Sequence, residues 1–255
     1  MKDKAPVDVI IIPARMESKR LPGKPMLMVG GKALVEWTYL RAKRVGIPVV
    51  VTTPDREIGQ YCQEHNMTWI PSADHHFNGT SRCHEAVDRM TVKVRRVINW
   101  QVDEPFVEPE DVKRMLEGSE DRFQGRKLVR TLVHSKYPGD MPGAVKVLYS
   151  DYFCHWFTRY PIPIAGLHIG VYGYSKDVLQ SLFRMVPSEH SKRESLEQLT
   201  WLEQGAFIKP IVVERACPSI NTLNDWEIFC GVVGEYGEEI TLLTVNAKDE
   251  PLNKG

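Results

Sequence analysis

The chain is poor in cysteine: Cys62, Cys83, Cys154, Cys217 and Cys230 are odd in number, widely spaced and never form a C-x-x-C pair. That usage argues against a disulfide framework or a zinc knuckle and fits a reduced, cytoplasmic setting. The chain lacks any apolar stretch long enough to cross a bilayer, and the short apolar run behind the MKDKAPVD start is no signal core. It also lacks net charge, because 33 Lys plus Arg offset 33 Asp plus Glu. No overall field therefore recruits nucleic acid or an anionic membrane, and any anion site has to be local. Two familiar phosphate cradles are missing as well, since neither G-x-x-x-x-G-K-[ST] nor G-x-G-x-x-G occurs. No repeat or low-complexity segment interrupts the 255 residues, which are enough for a sizeable core.

What is present is an alternation. The β-branched run at residues 7–12, closed by Pro13, reads as a strand buried on both faces of a parallel sheet. Residues 32–45 carry apolar positions at helical spacing until Gly46 and Pro48 stop them, and residues 49–53 give a second strand. A helix opening at Pro54-Asp55, a short strand at Trp69-Ile70, a helix over 81–90, a strand over 96–102 and a helix over 108–116 continue the pattern. Such units predict an α/β fold with a Rossmann-like, doubly wound, mostly parallel sheet. After Gly118, strand-like pieces at 128–133, 144–149, 152–158 and 168–174 predict a smaller, partly antiparallel subregion. Helices over 176–185 and 193–203, a strand over 207–213 and a helix over 223–233 complete the pattern. The expectation is one domain over residues 1–234, with halves 1–117 and 118–234, and a polar tail over 235–255.

The first strand runs into PARMESKRLPGKP, residues 13–25, where Arg15, Lys19, Arg20 and Lys24 face a single acid, Glu17. In an open parallel sheet, ligands bind beyond the carboxyl ends of the strands. Four cations there can converge on one polyphosphate, with Gly23 easing backbone approach; a solvated basic loop is the plainer alternative. The strand over 96–102 leads into QVDEP and sets Asp103 beside the same crevice. A carboxylate opposite a phosphate-binding loop suits Mg2+, which divides its coordination among carboxylate, phosphate and water oxygens. His75-His76 and Cys83-His84 match no common zinc spacing and receive no role.

PARMESKRLPGKP resembles the opening motif of the CMP-Kdo synthetases, the sugar nucleotidyltransferases that activate 3-deoxy-manno-octulosonate (Kdo) with CTP. QVDEP is similar to that family's Q-G-D-E-P metal motif, and NGTSR at 78–82 to its S-G-T-[DE]-R loop. HIGVYGY at 168–174 is similar to its H-[IL]-G-[IL]-Y-[GA]-Y strand, and ESLEQL at 194–199 to its E-x-L-E-Q-L helix. The five matches fall in the family's order. The resemblance implies a nucleotide-binding first half and a second half that binds sugar and dimerises. It implies that Ala14, Arg15, Lys24, Asn78, Gly79 and Thr80 bind the nucleotide, and that Arg15, Arg20, Lys24 and Asp103 serve the reaction, Asp103 as the magnesium ligand. Arg82, Gln101, Arg159, His168, Tyr172, Glu197 and Gln198 would line the sugar pocket, with the two arginines suited to the sugar carboxylate. The implied reaction moves CMP from CTP to the anomeric hydroxyl of Kdo, releases pyrophosphate and serves lipopolysaccharide biosynthesis. The implied assembly is a homodimer with no nucleic-acid or membrane partner.

Three places depart from the family pattern. Asn221 stands where a second metal-binding aspartate is expected and offers a carbonyl oxygen without charge. The segment between Arg159 and His168 is shorter than the usual loop, and Val102 replaces a glycine. These departures leave open a different sugar or sugar phosphate, UTP in place of CTP, or a nucleotide-binding regulator without activity.

Overall fold

The run at residues 7–12 becomes the centre of the sheet in the computed structural model, which describes residues 5–18, 20–118, 121–136, 143–162, 165–215 and 218–236. Strand β1 (Val7–Pro13) leads through a basic loop and a 3-10 turn (Lys24–Met26) to β2 (Met28–Val29), β3 (Lys32–Ala33) and α1 (Leu34–Lys43). Then come β4 (Val49–Thr53), α2 (Arg56–Glu64), β5 (Trp69–Pro71), α3 (Gly79–Arg89), β6 (Val94–Trp100) and α4 (Pro109–Met115). The second half holds β7 (Arg122–Phe123), β8 (Arg126–His134), β9 (Lys146–Tyr149), β10 (Cys154–Thr158), β11 (Gly166–Ser175) and α5 (Lys176–Phe183). It closes with α6 (Glu189–Glu194), α7 (Glu197–Glu203), β12 (Phe207–Val213) and α8 (Leu223–Tyr236).

Strands β5, β4, β1 and β6 are parallel neighbours, with Ile10 beside Val49 on one side and Ile98 on the other. Strand β11 joins β6 antiparallel and carries β8 and β9 as antiparallel partners, while β12 lies parallel to β8. The expected α/β sheet, mostly parallel with an antiparallel extension, is therefore present. Alternation along β1 explains why the strand is apolar on both faces. Ile10 and Ile12 pack with Leu34, Trp37 and Phe229 in one layer. Val9 and Ile11 pack with Cys83, Leu179 and Leu199 in the other. No helix among the described residues is long and apolar enough to cross a membrane.

Three local expectations are corrected. A β2–β3 hairpin separates the basic loop from α1, because Gly30 and Gly31, at φ 57 and 75, supply the two left-handed residues that a tight hairpin turn needs. The helix expected over 193–203 is two helices, broken where Ser195 turns left-handed at φ 54 and lets Leu196 enter the core. Strand β6 ends at Trp100, so Gln101 and Asp103 sit on a turn, closed by the Trp100 Nε1–H bond to the Glu104 carbonyl at 2.9 Å. Lys19 and the tail over 237–255 lie outside the described residues.

Candidate active site

The carboxyl ends of β1 and β6 and the amino-terminal half of β11 open onto one cleft of ≈ 1210 Å³. The loop after β1 is braced from both ends. The Ala14 amide donates to Thr52 O and the Met16 amide to Asp55 Oδ2, both within 2.9 Å, while Gly23 at φ 68 returns its N–H to Met16 O. That brace presents Arg15 and Arg20 at the surface and turns Lys24 inward. Arg15 makes one long contact, 3.4 Å, to Glu17.

Lys24 and Asp103 form an ion pair, Nζ to Oδ2 at 2.6 Å, and the ammonium also donates to Ile220 O at 3.0 Å. Arg20 donates to Asn221 Oδ1 at 2.7 Å and reaches Gly143 O at 3.5 Å. Arg159, half-buried, donates to the same Gly143 carbonyl and, through Nε, to Glu194 O at 3.1 Å. Two guanidinium groups thus meet at one neutral oxygen. Burial first, and the Arg20 charge second, lower the Arg159 pKa. Arg82 also lines the cleft, apart from this pair: its cationic neighbour is Arg15, and it donates to Ser72 Oγ and Ala73 O at 2.6 and 3.1 Å.

Asn78 caps α3, its Oδ1 accepting the Ser81 amide at 2.9 Å, which leaves its side-chain nitrogen for the cleft. Gly79 is packed so closely that a Cβ would lie 2.6 Å from Gln101 Nε2. Gln101 in turn donates to Asn99 Oδ1 at 3.0 Å. Thr80 does not line the cleft; it is buried behind it, with Asn99 Nδ2 3.4 Å from its hydroxyl.

On the second half, Tyr172 donates to Gln198 Oε1 at 3.3 Å and stacks on His168, ring centroids 5.5 Å apart. Thr131 donates its hydroxyl proton to Val171 O, so His168 Nε2 donates to Thr131 Oγ1 at 3.0 Å and Nδ1 is left as an acceptor. Burial, reinforced by the Arg159 charge, pushes the His168 pKa down to about 3, which fixes a neutral ring. Glu197 lines the cleft with Oε2 buried and unpaired, and burial raises its pKa to about 7. The lining also includes Ala14, Val102, Asn221 and the cations Lys192 and Arg193 of α6. Val102 directs its side chain into the core, with its carbonyl bonded to the Thr38 hydroxyl at 2.7 Å.

Sequence reasoning passed over several residues at the cleft, among them Gly143, whose carbonyl takes two guanidinium groups, and the cations Lys192 and Arg193. Lys192 and Arg193 sit in a helix that the break at Ser195 swings onto the cleft, and a left-handed serine has no sequence signature comparable to glycine. Among the described residues no three His, Cys, Asp or Glu side chains gather as a metal cage.

The Cytidylyltransferase family profile matches residues 9–211. The chain is 34% identical over 227 residues to the 3-deoxy-manno-octulosonate cytidylyltransferase of Escherichia coli, covering 84% of this chain and 91% of that one. It is 33% identical over 245 residues to the enzyme of the same description from Fusobacterium nucleatum subsp. nucleatum, covering 90% and 98%. Its fold superposes on a solved CMP:2-keto-3-deoxy-manno-octonic acid synthetase complexed with CTP, at TM-score 0.79, 32% identity and coverage of 90% and 99%. Sequence, fold and the cation-lined cleft agree: the chain belongs to the cytidylyltransferase family that includes the 3-deoxy-manno-octulosonate cytidylyltransferases.

Proposed function

We propose that this chain transfers CMP from CTP to the anomeric hydroxyl of Kdo or a closely related keto-sugar acid, releasing pyrophosphate. The observation that carries this reading is the meeting of Arg20 and Arg159 at the Gly143 carbonyl, where the two halves of the cleft join. In a keto-sugar acid the carboxylate is bonded to the carbon that bears the attacking hydroxyl. An acceptor of that kind must place one anion beside the phosphate under attack, and paired guanidinium groups suit two adjacent anions.

Arg15, Arg20 and Lys24 would stabilise the charge that builds on the phosphate oxygens, and Asn78, with the backbone at Gly79, would hold the nucleoside. Gln101, His168, Tyr172, Glu197 and Gln198 would orient the sugar, His168 accepting a hydroxyl proton at Nδ1. The donor set fits Mg2+: Asp103 offers one carboxylate, Asn221 one carbonyl oxygen, and the absence of a cage among the described residues suits an ion that arrives on a triphosphate. Bound there, magnesium would neutralise phosphate charge. A homodimer and a cytoplasmic location belong to the same reading.

Pyrophosphate release, measured with CTP and with UTP against a panel of keto-sugar acids and sugar phosphates, tests it. Turnover with CTP and Kdo is expected. Turnover of a neutral sugar or a sugar phosphate with none of any keto-sugar acid would overturn the proposal.

A further inference from the structure

Asp103 has a buried neighbour. Glu104 borders the cleft but its side chain is only 3% exposed, and nothing in the reaction described above uses it. Its Oε1 accepts two hydrogen bonds, from the Gly170 amide at 2.8 Å and the Ser219 hydroxyl at 2.5 Å. Its Oε2 is buried without a partner. A carboxyl carried into the interior is expensive, so its place must follow from what it holds.

It holds three segments, each of which carries groups of the cleft. The first is its own turn, with Gln101 and Asp103. The second is β11, where a Cβ on Gly170 would come within 2.9 Å of Glu104 Oε1, so only glycine admits this approach. That strand carries His168 and Tyr172. The third is the stretch through Ser219, whose next residues supply Ile220 O to Lys24 and Asn221 Oδ1 to Arg20. Backbone bonds from Gln101 N to Gly170 O at 3.1 Å and from Ile220 N to Asp103 O at 2.9 Å run beside the carboxyl. Alone, they leave the 219–221 stretch attached to the turn at one point.

We propose that Glu104 is a positioning residue: Oε1 pins Ser219 and Gly170 to the turn, and so sets Asp103 and Asn221 where Lys24 and Arg20 reach them. The proposal rests on the cytidylyl-transfer reading for what the positioning serves, but the geometry can be tested without it. What matters is an acceptor oxygen at Oε1, which glutamine keeps and leucine removes.

The test compares Glu104→Gln, Glu104→Leu and Ser219→Ala by amide hydrogen exchange over residues 218–222 and by steady-state kinetics with CTP and Kdo. Glu104→Leu should speed exchange at the Ile220 amide and lower kcat roughly ten- to hundredfold, the scale expected of displaced reacting groups. Glu104→Gln should restore both to within about threefold of the unmodified protein, since it retains the paired acceptor. Ser219→Ala removes only the link to the 219–221 stretch and decides the matter if the leucine variant does not fold: exchange should rise there while melting temperature holds. Unchanged exchange at Ile220 in Ser219→Ala, or a glutamine variant as damaged as the leucine one, would overturn the proposal. If the unmodified protein turns over no keto-sugar acid, the functional reading fails, and the exchange data still decide the role of Glu104.

Discussion

Replacing His168 with Asn should remove an acid sensitivity whose size follows from the site. The ring is buried between Phe157 and Tyr172, with centroid separations of 5.1 and 5.5 Å, and burial with the nearby Arg159 pushes its pKa from the ordinary 6.5 to about 3. The unfolded chain binds a proton below its ordinary value while the folded chain does not, so acid favours unfolding. The stability is complete above about pH 6.5 and falls by about 1.4 kcal/mol per unit as pH drops toward the folded value. Between about pH 7.5 and pH 5 the ring alone removes roughly 2 kcal/mol. Glu104 and Glu197 work in the opposite direction. Their pKa values are raised to about 8 and about 7, so they lose stability as pH rises above their ordinary range and regain it in acid. A wild-type curve therefore sums opposed slopes, and only its difference from the variant isolates the ring. Urea unfolding at the two pH values should show that difference moving by roughly 2 kcal/mol in favour of His168→Asn on acidification. Any folded value below about 4 yields nearly the same figure, because at pH 5 the unfolded side sets it. A difference flat to within about 0.5 kcal/mol would mean that the folded ring takes up the proton, and would refute the argument.

The remaining predictions concern the cleft. Gly79→Ala should raise the acceptor KM several-fold with a stability change under about 1 kcal/mol, because the new Cβ meets the flexible end of Gln101, 2.6 Å away, and frees it from Asn99. Kinetics beside a thermal melt checks this, and an unchanged KM would count against Gln101 as a sugar contact. Since Lys24 holds Asp103 at 2.6 Å, a divalent cation should bind poorly until nucleotide draws the ammonium away. Mn2+ titration followed by electron paramagnetic resonance should find weak binding to the free protein, tight binding with CTP, and nucleotide-independent binding in Lys24→Met; equal affinity with and without CTP in the unmodified protein would refute the coupling. Asn221→Asp adds the charge that its carbonyl lacks and should lower the magnesium concentration for half-maximal rate several-fold, with no shift meaning that position 221 lies outside the metal site.

Much of the first half was legible because its signals are local. A β-branched run, stops at Gly46 and Pro48 and strand–helix alternation are properties of short windows, and the strands β1 and β4 fall where those windows put them. The hairpin at Gly30-Gly31 was also local but was overridden by the helical spacing that follows it. The site divides along the same line. Motifs identified which residue types stand at the cleft, but not how they pair, because the pairs join positions far apart in the chain: Lys24 with Asp103, Arg20 with Asn221, and Arg20 with Arg159 through Gly143. Arg82 illustrates the limit, since the motif puts it at the cleft but does not tell that its guanidinium also donates to Ser72 and Ala73.

Those pairings also constrain how the cleft discriminates. The Arg20 guanidinium is bonded to Asn221 Oδ1 and Gly143 O, and the Arg159 guanidinium to Gly143 O and Glu194 O, all neutral acceptors. Exchanging a neutral acceptor for an anionic one about doubles the strength of a hydrogen bond, so a phosphate or carboxylate displaces these partners with net gain and a neutral sugar does not. Lys24 is different, because its partner is already a carboxylate. Moving it to a phosphate merely swaps one anion for another and strands Asp103, unless a second cation takes its place. On the proposed reading the basic loop carries two kinds of cation: Arg20, whose partners are neutral and which an incoming anion would engage directly, and Lys24, whose release from Asp103 would require nucleotide and metal to enter together.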